Sequence, residues 1–146
     1  MNEPAGRVLG LDYGDRTVGV AVSDPTRFVA QGIEIIRRKD EAHLRPTLRR
    51  IEELAKQYQV TEIVLGLPLN MDDSFGPRTE KTSAFKTKLE QWMKLPVHLQ
   101  DERLSSVEAE EAMALAGIGR QDYKLYVDQI AASIILQDWL NEHGNN

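Results

Sequence analysis

The stretch "RVLGLDYGDRTVGVAVSD", residues Arg7 to Asp24, decides the fold. Two short apolar runs flank "YGDR", which is the pattern of a β-hairpin with a tight turn. Because side chains alternate along a strand, large and small residues separate onto opposite faces of the hairpin. In the first strand the large face holds Leu9, Leu11 and Tyr13, and the small face holds Val8, Gly10, Asp12 and Gly14. The second strand repeats this division, with valines on one face and Thr17, Gly19, Ala21 and Ser23 on the other.

The carboxylate of Asp12, on the small face, has two interpretations. Either the small residues accommodate a closely packed helix and Asp12 is a strand-end residue, or they form a floor for phosphate or metal with Asp12 as a ligand. Floors of the second kind occur in the "LDxG" phosphate loop of actin-like and hexokinase-like ATPases. They also occur in ribonuclease H-like nucleases, whose first strand carries a metal-binding Asp. The hairpin alone does not separate these classes.

The remaining pattern predicts a mixed α/β fold. Apolar runs predict three further strands, and helical spacing or capping signals predict four helices. The strands are expected at 28–36, 62–68 and 95–101, and the helices at 42–58, 77–93, 106–117 and 126–142. Short turns make the first three strands antiparallel, and intervening helices make the last two parallel. We therefore expect one domain over residues 1–146, with a mixed five-stranded sheet and helices on both faces.

Composition excludes several classes of protein. The chain has no cysteine, so disulfide frameworks and thiolate zinc sites are excluded. It has no apolar run of about 20 residues and no signal peptide pattern, so we expect a soluble, cytoplasmic protein without membrane contact. The formal net charge of −5 argues mildly against nucleic acid as a partner. Carboxylates that hold a divalent cation would make that formal count too negative at their site.

Three acidic positions are candidates for one cation site. Asp12 is the first, and the second lies in "LQDERLSSVEAE", where Asp101 and Glu102 end a predicted strand. Strand alternation points these two apart, and Glu102 is preferred without excluding Asp101. The third is Asp128, predicted in the first turn of the last helix and followed by Ala131 and Ala132, which let that helix lie close to a sheet. Three converging carboxylates would repel one another unless a cation lay between them.

Four motifs together resemble the YqgF-type family. They are "LGLDYGDRTVGVAVSD", "VLGLPLNMDDSFGPRTEK", "LQDERLSSVEAE" and "KLYVDQIAASIILQDWL", and the resemblance runs from about residue 6 to 141. Members are described as pre-16S rRNA nucleases or Holliday-junction-resolvase-like proteins with a ribonuclease H-like fold. Two departures are Asp73, where the family usually has Gly, and Ser105, where it usually has Thr.

The resemblance implies a nuclease that processes the 5′ end of pre-16S rRNA in ribosome biogenesis, or one that resolves branched DNA. It implies Asp12, Glu102 and Asp128 as catalytic ligands of one or two Mg²⁺ or Mn²⁺ ions. Its partners would be pre-rRNA or branched DNA and ribosomal precursor particles. Basic and polar residues beside the three acids are candidates to hold the nucleic-acid backbone. They are Asn70, Arg78, Lys81, Arg103, Arg120 and Lys124.

Two other functions stay open from the residues alone. An actin-like ATP-binding module would explain the "LDxG" hairpin, but such ATPases need two domains of this size and a second phosphate loop, and the sequence has neither. A non-catalytic nucleic-acid or ribosome-assembly binder would fit the acidic net charge and the lack of an aromatic stacking platform. The three histidines, His43, His98 and His143, are scattered and are expected in surface or satisfied polar roles.

Overall fold

The hairpin of residues 7–23 lies at the centre of a five-stranded sheet. The computed structural model describes residues 6–39, 42–68, 76–102 and 106–144. The strands are β1 (Arg7–Tyr13), β2 (Thr17–Ser23), β3 (Ala30–Arg37), β4 (Val60–Pro68) and β5 (Val97–Glu102). The helices are α1 (Arg45–Gln57), α2 (Pro77–Met93), α3 (Ser106–Leu115) and α4 (Tyr123–Trp139). A 3₁₀ turn at Arg120–Asp122 precedes α4, and a π-helical turn at Leu140–Gly144 follows it.

The strand order β3-β2-β1-β4-β5 confirms the predicted mixed sheet. β1 pairs with β2, and β2 with β3, in antiparallel fashion. β4 pairs with β1 and with β5 in parallel. The carboxyl ends of β1, β4 and β5 therefore meet at one edge of the sheet, which is where open α/β folds place their ligands. Asp12 lies next to the last residue of β1, and Glu102 is the last residue of β5.

Each face of the sheet has its own core, as the alternation of the hairpin predicts. The large face packs against α1 and α2, and its buried residues include Leu9, Leu11, Ile51, Phe85 and Leu89. The small face packs against α4, and its buried residues include Val8, Ala21, Val64, Ala132 and Leu136. Burying both faces is what makes β1 and β4 nearly continuous apolar runs.

The starts of β3 and α1 differ from the sequence-based prediction. β3 begins at Ala30 because the Asp24 carboxylate accepts hydrogen bonds from the backbone N–H groups of Phe28 and Val29, each at 2.8 Å, so these residues belong to the preceding turn. α1 begins at Arg45 rather than at residue 42. Pro46 explains the later start, since proline fits the first helical turn but would lose a backbone hydrogen bond deeper in a helix.

The last helix begins at Tyr123, three residues earlier than predicted, because the 3₁₀ turn leads directly into it. Asp128 is therefore in the second turn of α4, and the predicted first-turn position is wrong. The helix dipole acts mainly within the first turn, so Asp128 needs another source of stabilisation.

A polar cluster closes the opposite end of the sheet. Arg27 donates to the carbonyl of Gly6 at 2.9 Å and to Glu62 at 2.5 Å, and His98 lies 3.0 Å from Glu62. His98 also stacks on Trp139, as does His143. Satisfied polar roles for these two histidines are confirmed. Within the described ranges, no helix is long and apolar enough to cross a membrane.

Candidate active site

α4 lies directly on the glycines of the small face. A Cβ atom on Gly19 would lie 2.0 Å from the backbone oxygen of Asp128, and one on Gly10 would lie 2.7 Å from the Cβ of Leu136. Such contacts are impossible, so these positions admit only glycine at the present helix position. The first interpretation of the small face, a closely packed helix, is confirmed. The second, a floor for phosphate, is wrong for these glycines.

Asp12 extends from the same face, and Glu102 of β5 reaches toward it. Asp12 is 9% exposed, and its side chain hydrogen bonds to Glu102. The Oε2 atom of Glu102 lies 2.9 Å from where a Cβ on Gly66 would be, so this glycine of the intervening strand β4 makes room for the carboxylate. The parallel strand ends thus bring together two acids that are ninety residues apart.

The pKa values of both carboxylates are raised. Burial, the nearby charge of Glu102 and the hydrogen bond to it raise the pKa of Asp12 to about 9, with Asp128 adding to the effect and Arg78 opposing it. Burial also raises the pKa of Glu102, although the hydrogen bond from Asp12 and the charge of Arg78 act the other way. Asp12 therefore keeps its proton and donates a hydrogen bond to the Glu102 carboxylate. Asp12 and Glu102 are the residues that would hold a divalent cation, and binding it would release that proton.

Asp128 completes an acidic group of three. Its charge acts on both Asp12 and Glu102. Its Oδ2 atom accepts a hydrogen bond of 2.5 Å from the hydroxyl of Thr17 on β2, and this bond supplies the stabilisation that the helix dipole does not. Sequence reasoning missed Thr17 as a positioning residue. Its place on the small face of the second strand, beside Gly19, was the available signal.

Glu102, and not Asp101, faces this group. Asp101 pairs opposite Leu67 in the sheet and its side chain is exposed, whereas Glu102 pairs opposite Pro68 and is partly buried beside Asp12. The alternation of side chains along β5 separates the two acids, in agreement with the preference stated from the sequence.

The predicted basic residues do not all reach the carboxylates. Arg78, in the first turn of α2, acts electrostatically on Asp12 and Glu102. Lys81, one turn later, lies 3.7 Å from Asp15. Arg120 and Lys124 are exposed on the 3₁₀ turn and the start of α4, and no described contact joins them to Asp12 or Glu102. Asn70, Asp73, Arg103 and Ser105 lie outside the described residues.

The donor set fits a hard divalent cation. Across the described ranges, no three acidic or histidine side chains are already arranged as ligands of one ion. Two of them, Asp12 and Glu102, share a proton in a buried position, and Mg²⁺ commonly takes only one or two carboxylates together with waters and substrate phosphates. An all-oxygen set of this kind suits Mg²⁺ or Mn²⁺ and does not suit softer metals.

The raised pKa of Asp12 predicts that, without metal, the Asp12→Asn variant becomes more stable relative to the wild type as pH rises. The folded state keeps its proton up to a pH of about 9, whereas the unfolded chain releases it near 3.8. The free energy of unfolding therefore falls as pH rises through this interval, by up to about 1.4 kcal/mol per pH unit. Asparagine does not titrate, so the Asp12→Asn variant gains on the wild type as pH rises.

Urea denaturation in EDTA checks this prediction. The stability difference between Asp12→Asn and wild type is expected to be larger at about pH 8 than at about pH 5. Asp101→Asn is the matched control, because Asp101 is the chain neighbour of Glu102 and its side chain is exposed. A difference that did not change with pH would contradict the assigned protonation of Asp12.

The chain has relatives over almost its whole length. A family model described as RuvX, Holliday junction resolvase, matches residues 6–142. A protein of Agathobacter rectalis named "Putative pre-16S rRNA nuclease" is 49% identical over 140 residues, which are 96% of this chain and 98% of the relative. A protein of the same name from Streptococcus pyogenes is 48% identical over 138 residues, which are 94% of this chain and 99% of the relative.

Solved structures share the fold at low sequence identity. The structure of Thermus thermophilus RuvC has a TM-score of 0.55 and 12% identity, and the match covers 95% of this chain and 97% of that one. RuvC of the same organism in complex with a Holliday junction substrate has a TM-score of 0.56 and 14% identity, with 95% and 96% covered. This likeness confirms the predicted ribonuclease H-like fold.

Proposed function

Since the chain belongs to the RuvX family of Holliday junction resolvases, we propose that it is a metal-dependent nuclease whose substrate is pre-16S rRNA. The RNA substrate rests on the name shared by relatives that are 48–49% identical over nearly their full length. The reaction is hydrolysis of a phosphodiester bond, placed at the 5′ end of the precursor and thus in ribosome biogenesis.

One observation carries the proposal of metal dependence. Asp12, which is buried, and Glu102, which is partly buried, form a hydrogen-bonded carboxylate pair at the carboxyl edge of the parallel strands, with a pKa of Asp12 raised far above its ordinary value. Such a pair is costly for a purely structural role, because two carboxylates in contact must retain a proton. Asp128 is a third acid in the same group, and its charge acts on both Asp12 and Glu102. Strong perturbation of acidic groups in one place is typical of a functional site.

The chain's own residues have separate tasks in this proposal. Asp12 and Glu102, together with Asp128, would hold one or two Mg²⁺ or Mn²⁺ ions, whose contribution when bound would be activation of water and neutralisation of charge on the leaving oxygen. Thr17 fixes the direction of the Asp128 carboxylate through its 2.5 Å hydrogen bond. The positive charge of Arg78 lowers the pKa values of Asp12 and Glu102, so Arg78 lies near both acids. From there it would hold a non-bridging oxygen of the scissile phosphate. Because α4 lies directly on β2, the Asp128 carboxylate stays within hydrogen-bonding distance of the Thr17 hydroxyl.

Branched DNA is the second candidate substrate, since the family model is described as a Holliday junction resolvase. The same carboxylates would serve both substrates, because the chemistry at phosphorus is the same. The difference lies in the surfaces that bind the rest of the nucleic acid.

Cleavage assays with two substrates test the proposal. The purified chain is incubated with a precursor rRNA fragment that retains its 5′ leader, and separately with a four-way DNA junction and a linear duplex of the same sequence. We expect an RNA product in Mg²⁺ or Mn²⁺ and none in EDTA. Paired cuts in the junction with intact RNA would assign the resolvase activity instead. Cleavage that continued unchanged in EDTA would contradict metal dependence.

A further inference from the structure

A second cationic surface lies on the other side of the sheet from α4. It consists of Arg37, Arg38, Lys39, Arg45 and Lys88, which line adjoining cavities between β3, α1 and α2 and are called the cationic groove here. The largest of these cavities, about 730 Å³, lies between the end of β3 and the start of α1. In the sequence, residues 37–45 contain four Lys and Arg against two acids, in a chain whose net charge is −5. Positive charge is therefore concentrated here against the overall balance.

Arg38 makes this groove more than a set of surface charges. Its side chain is 8% exposed, and it donates to the backbone oxygens of Gly14 and Asp15 and to the hydroxyl of Tyr13. The guanidinium also lies 4.6 Å from the centre of the Tyr13 ring. Among the described residues it has no carboxylate partner, and its Nε atom has no hydrogen-bond acceptor. A buried charge is normally paired, so an anion is the missing complement.

The start of α1 adds a second feature suited to an anion. Arg45, Pro46 and Thr47 line the largest cavity, and they form the first turn of this thirteen-residue helix. Among the described residues no side chain caps this helix, and its first turn holds no acidic residue. The backbone N–H groups of Arg45 and Thr47 and the positive end of the helix dipole therefore lie beside the arginine and lysine side chains, an arrangement that favours phosphate.

Adjoining cavities lead from the cationic groove to Arg78. Arg38 and Lys88 line a cavity together with Lys81 and Tyr13. Lys81 and Tyr13 in turn line a smaller cavity with Arg78, the residue that acts on Asp12 and Glu102. A small anion would occupy only one of these cavities. A row of adjoining cavities that runs from the start of α1 to Arg78, and in which Lys and Arg outnumber the one lining acid, Asp15, matches an extended polyanion.

We propose that the cationic groove binds the sugar–phosphate backbone of a nucleic-acid strand beyond the phosphodiester held at Asp12 and Glu102. The inference rests on the proposed nuclease function and adds to it a surface that the three acids and their neighbouring cations do not include. The strand leaves the carboxylates past Arg78 and Lys81 and reaches the first turn of α1. Contacts to the sugar–phosphate backbone give affinity and fix the position of the strand, but they do not recognise its base sequence.

Binding of single-stranded RNA in EDTA tests the groove separately from cleavage. Fluorescence anisotropy is measured with labelled strands of about 8 and about 30 nucleotides, since one binding surface covers about 4–16 nucleotides. The variant is Lys39→Gln/Arg45→Gln, in which both residues are exposed. The control is Lys56→Gln/Lys94→Gln, which changes the net charge equally at exposed positions that line none of the cavities described above. Melting curves establish that both variants fold.

We expect the wild type to bind the long strand more tightly than the short one, and the variant to lose that difference. Loss of two phosphate contacts should weaken long-strand binding about 10-fold and reduce the slope of log K against log salt by about 1.4. The control should retain wild-type behaviour. Equal losses in variant and control, or unchanged long-strand binding in the variant, would overturn the proposal. Competition by inorganic phosphate with no dependence on strand length would overturn it too, in favour of a small-anion site.

Cleavage by the wild type is scored independently. Loss of long-strand binding in the variant without any wild-type cleavage would support the groove and reject the nuclease. Cleavage by the wild type together with unchanged long-strand binding by the variant would support the nuclease and reject the groove.

Discussion

Asp12→Asn and Glu102→Gln are each expected to lower the rate of phosphodiester cleavage by about 10³-fold or more, equal to about 4 kcal/mol of transition-state stabilisation. Asp12 and Glu102 form the buried pair that would hold the cation, and each amide keeps the shape of the side chain while removing its charge. Single-turnover cleavage at saturating enzyme measures the chemical step apart from binding. The same variants should bind uncleaved RNA in EDTA with near wild-type affinity.

Asp101→Asn is the matched control for this prediction. Asp101 is the chain neighbour of Glu102, carries the same kind of charge and is exposed on the opposite face of β5. It should keep its cleavage rate within about 3-fold of wild type, as expected for a surface charge. If Asp101→Asn were inactive and Glu102→Gln active, the assignment of ligands along β5 would be reversed. If all three variants were active, the site would lie elsewhere.

Gly19→Ala is expected to destabilise the protein by about 3 kcal/mol and to abolish cleavage. The added methyl group would lie 2.0 Å from the backbone oxygen of Asp128, so α4 must move away from the sheet. Backbone cannot rotate aside as a side chain can, and the movement displaces the Asp128 carboxylate from Thr17. Urea denaturation followed by tryptophan fluorescence measures the loss, since Trp139 belongs to the core under α4.

Gly119→Ala provides the comparison. Gly119 has a φ of −69°, and a Cβ there meets only the flexible side chain of Gln121, at 3.0 Å. Its stability should stay within about 0.5 kcal/mol of wild type, with cleavage retained. Wild-type stability in Gly19→Ala would show that α4 does not lie on β2 as described. A stable but inactive Gly19→Ala would show that the displacement of Asp128 is tolerated by the core but not by the chemistry.

Alternation and connection rules were sufficient to predict the sheet. The small and large faces of residues 7–23 followed from side-chain periodicity. The antiparallel pairing of the first three strands and the parallel pairing of β4 and β5 followed from the connections between them. These rules also placed Asp12 and Glu102 at one edge of the sheet. Such features depend on backbone geometry that is the same in all proteins.

Features that depend on particular distances could not be predicted in this way. The glycines of the small face suited either a helix or a phosphate, and only the contact between Gly19 and Asp128 separates these meanings. The start of α4 depended on a 3₁₀ turn that has no clear pattern in "GRQD". Arg38 was one of three consecutive cations in the sequence, and its burial against Tyr13 is a tertiary contact.

α4 contributes both to the proposed site and to the core, and this has a consequence for local unfolding of the protein. This helix carries Asp128 and also supplies Ala132, Ile135, Leu136 and Trp139 to the core of the small face. Local opening of a protein proceeds in cooperative units, and a helix that is buried along its length opens as one of them. Detachment of α4 would therefore remove a carboxylate and expose half of the interior in the same event. The proposed three-acid site and the fully closed hydrophobic interior belong to one thermodynamic state, so partial unfolding in this region would leave no form that keeps all three acids together.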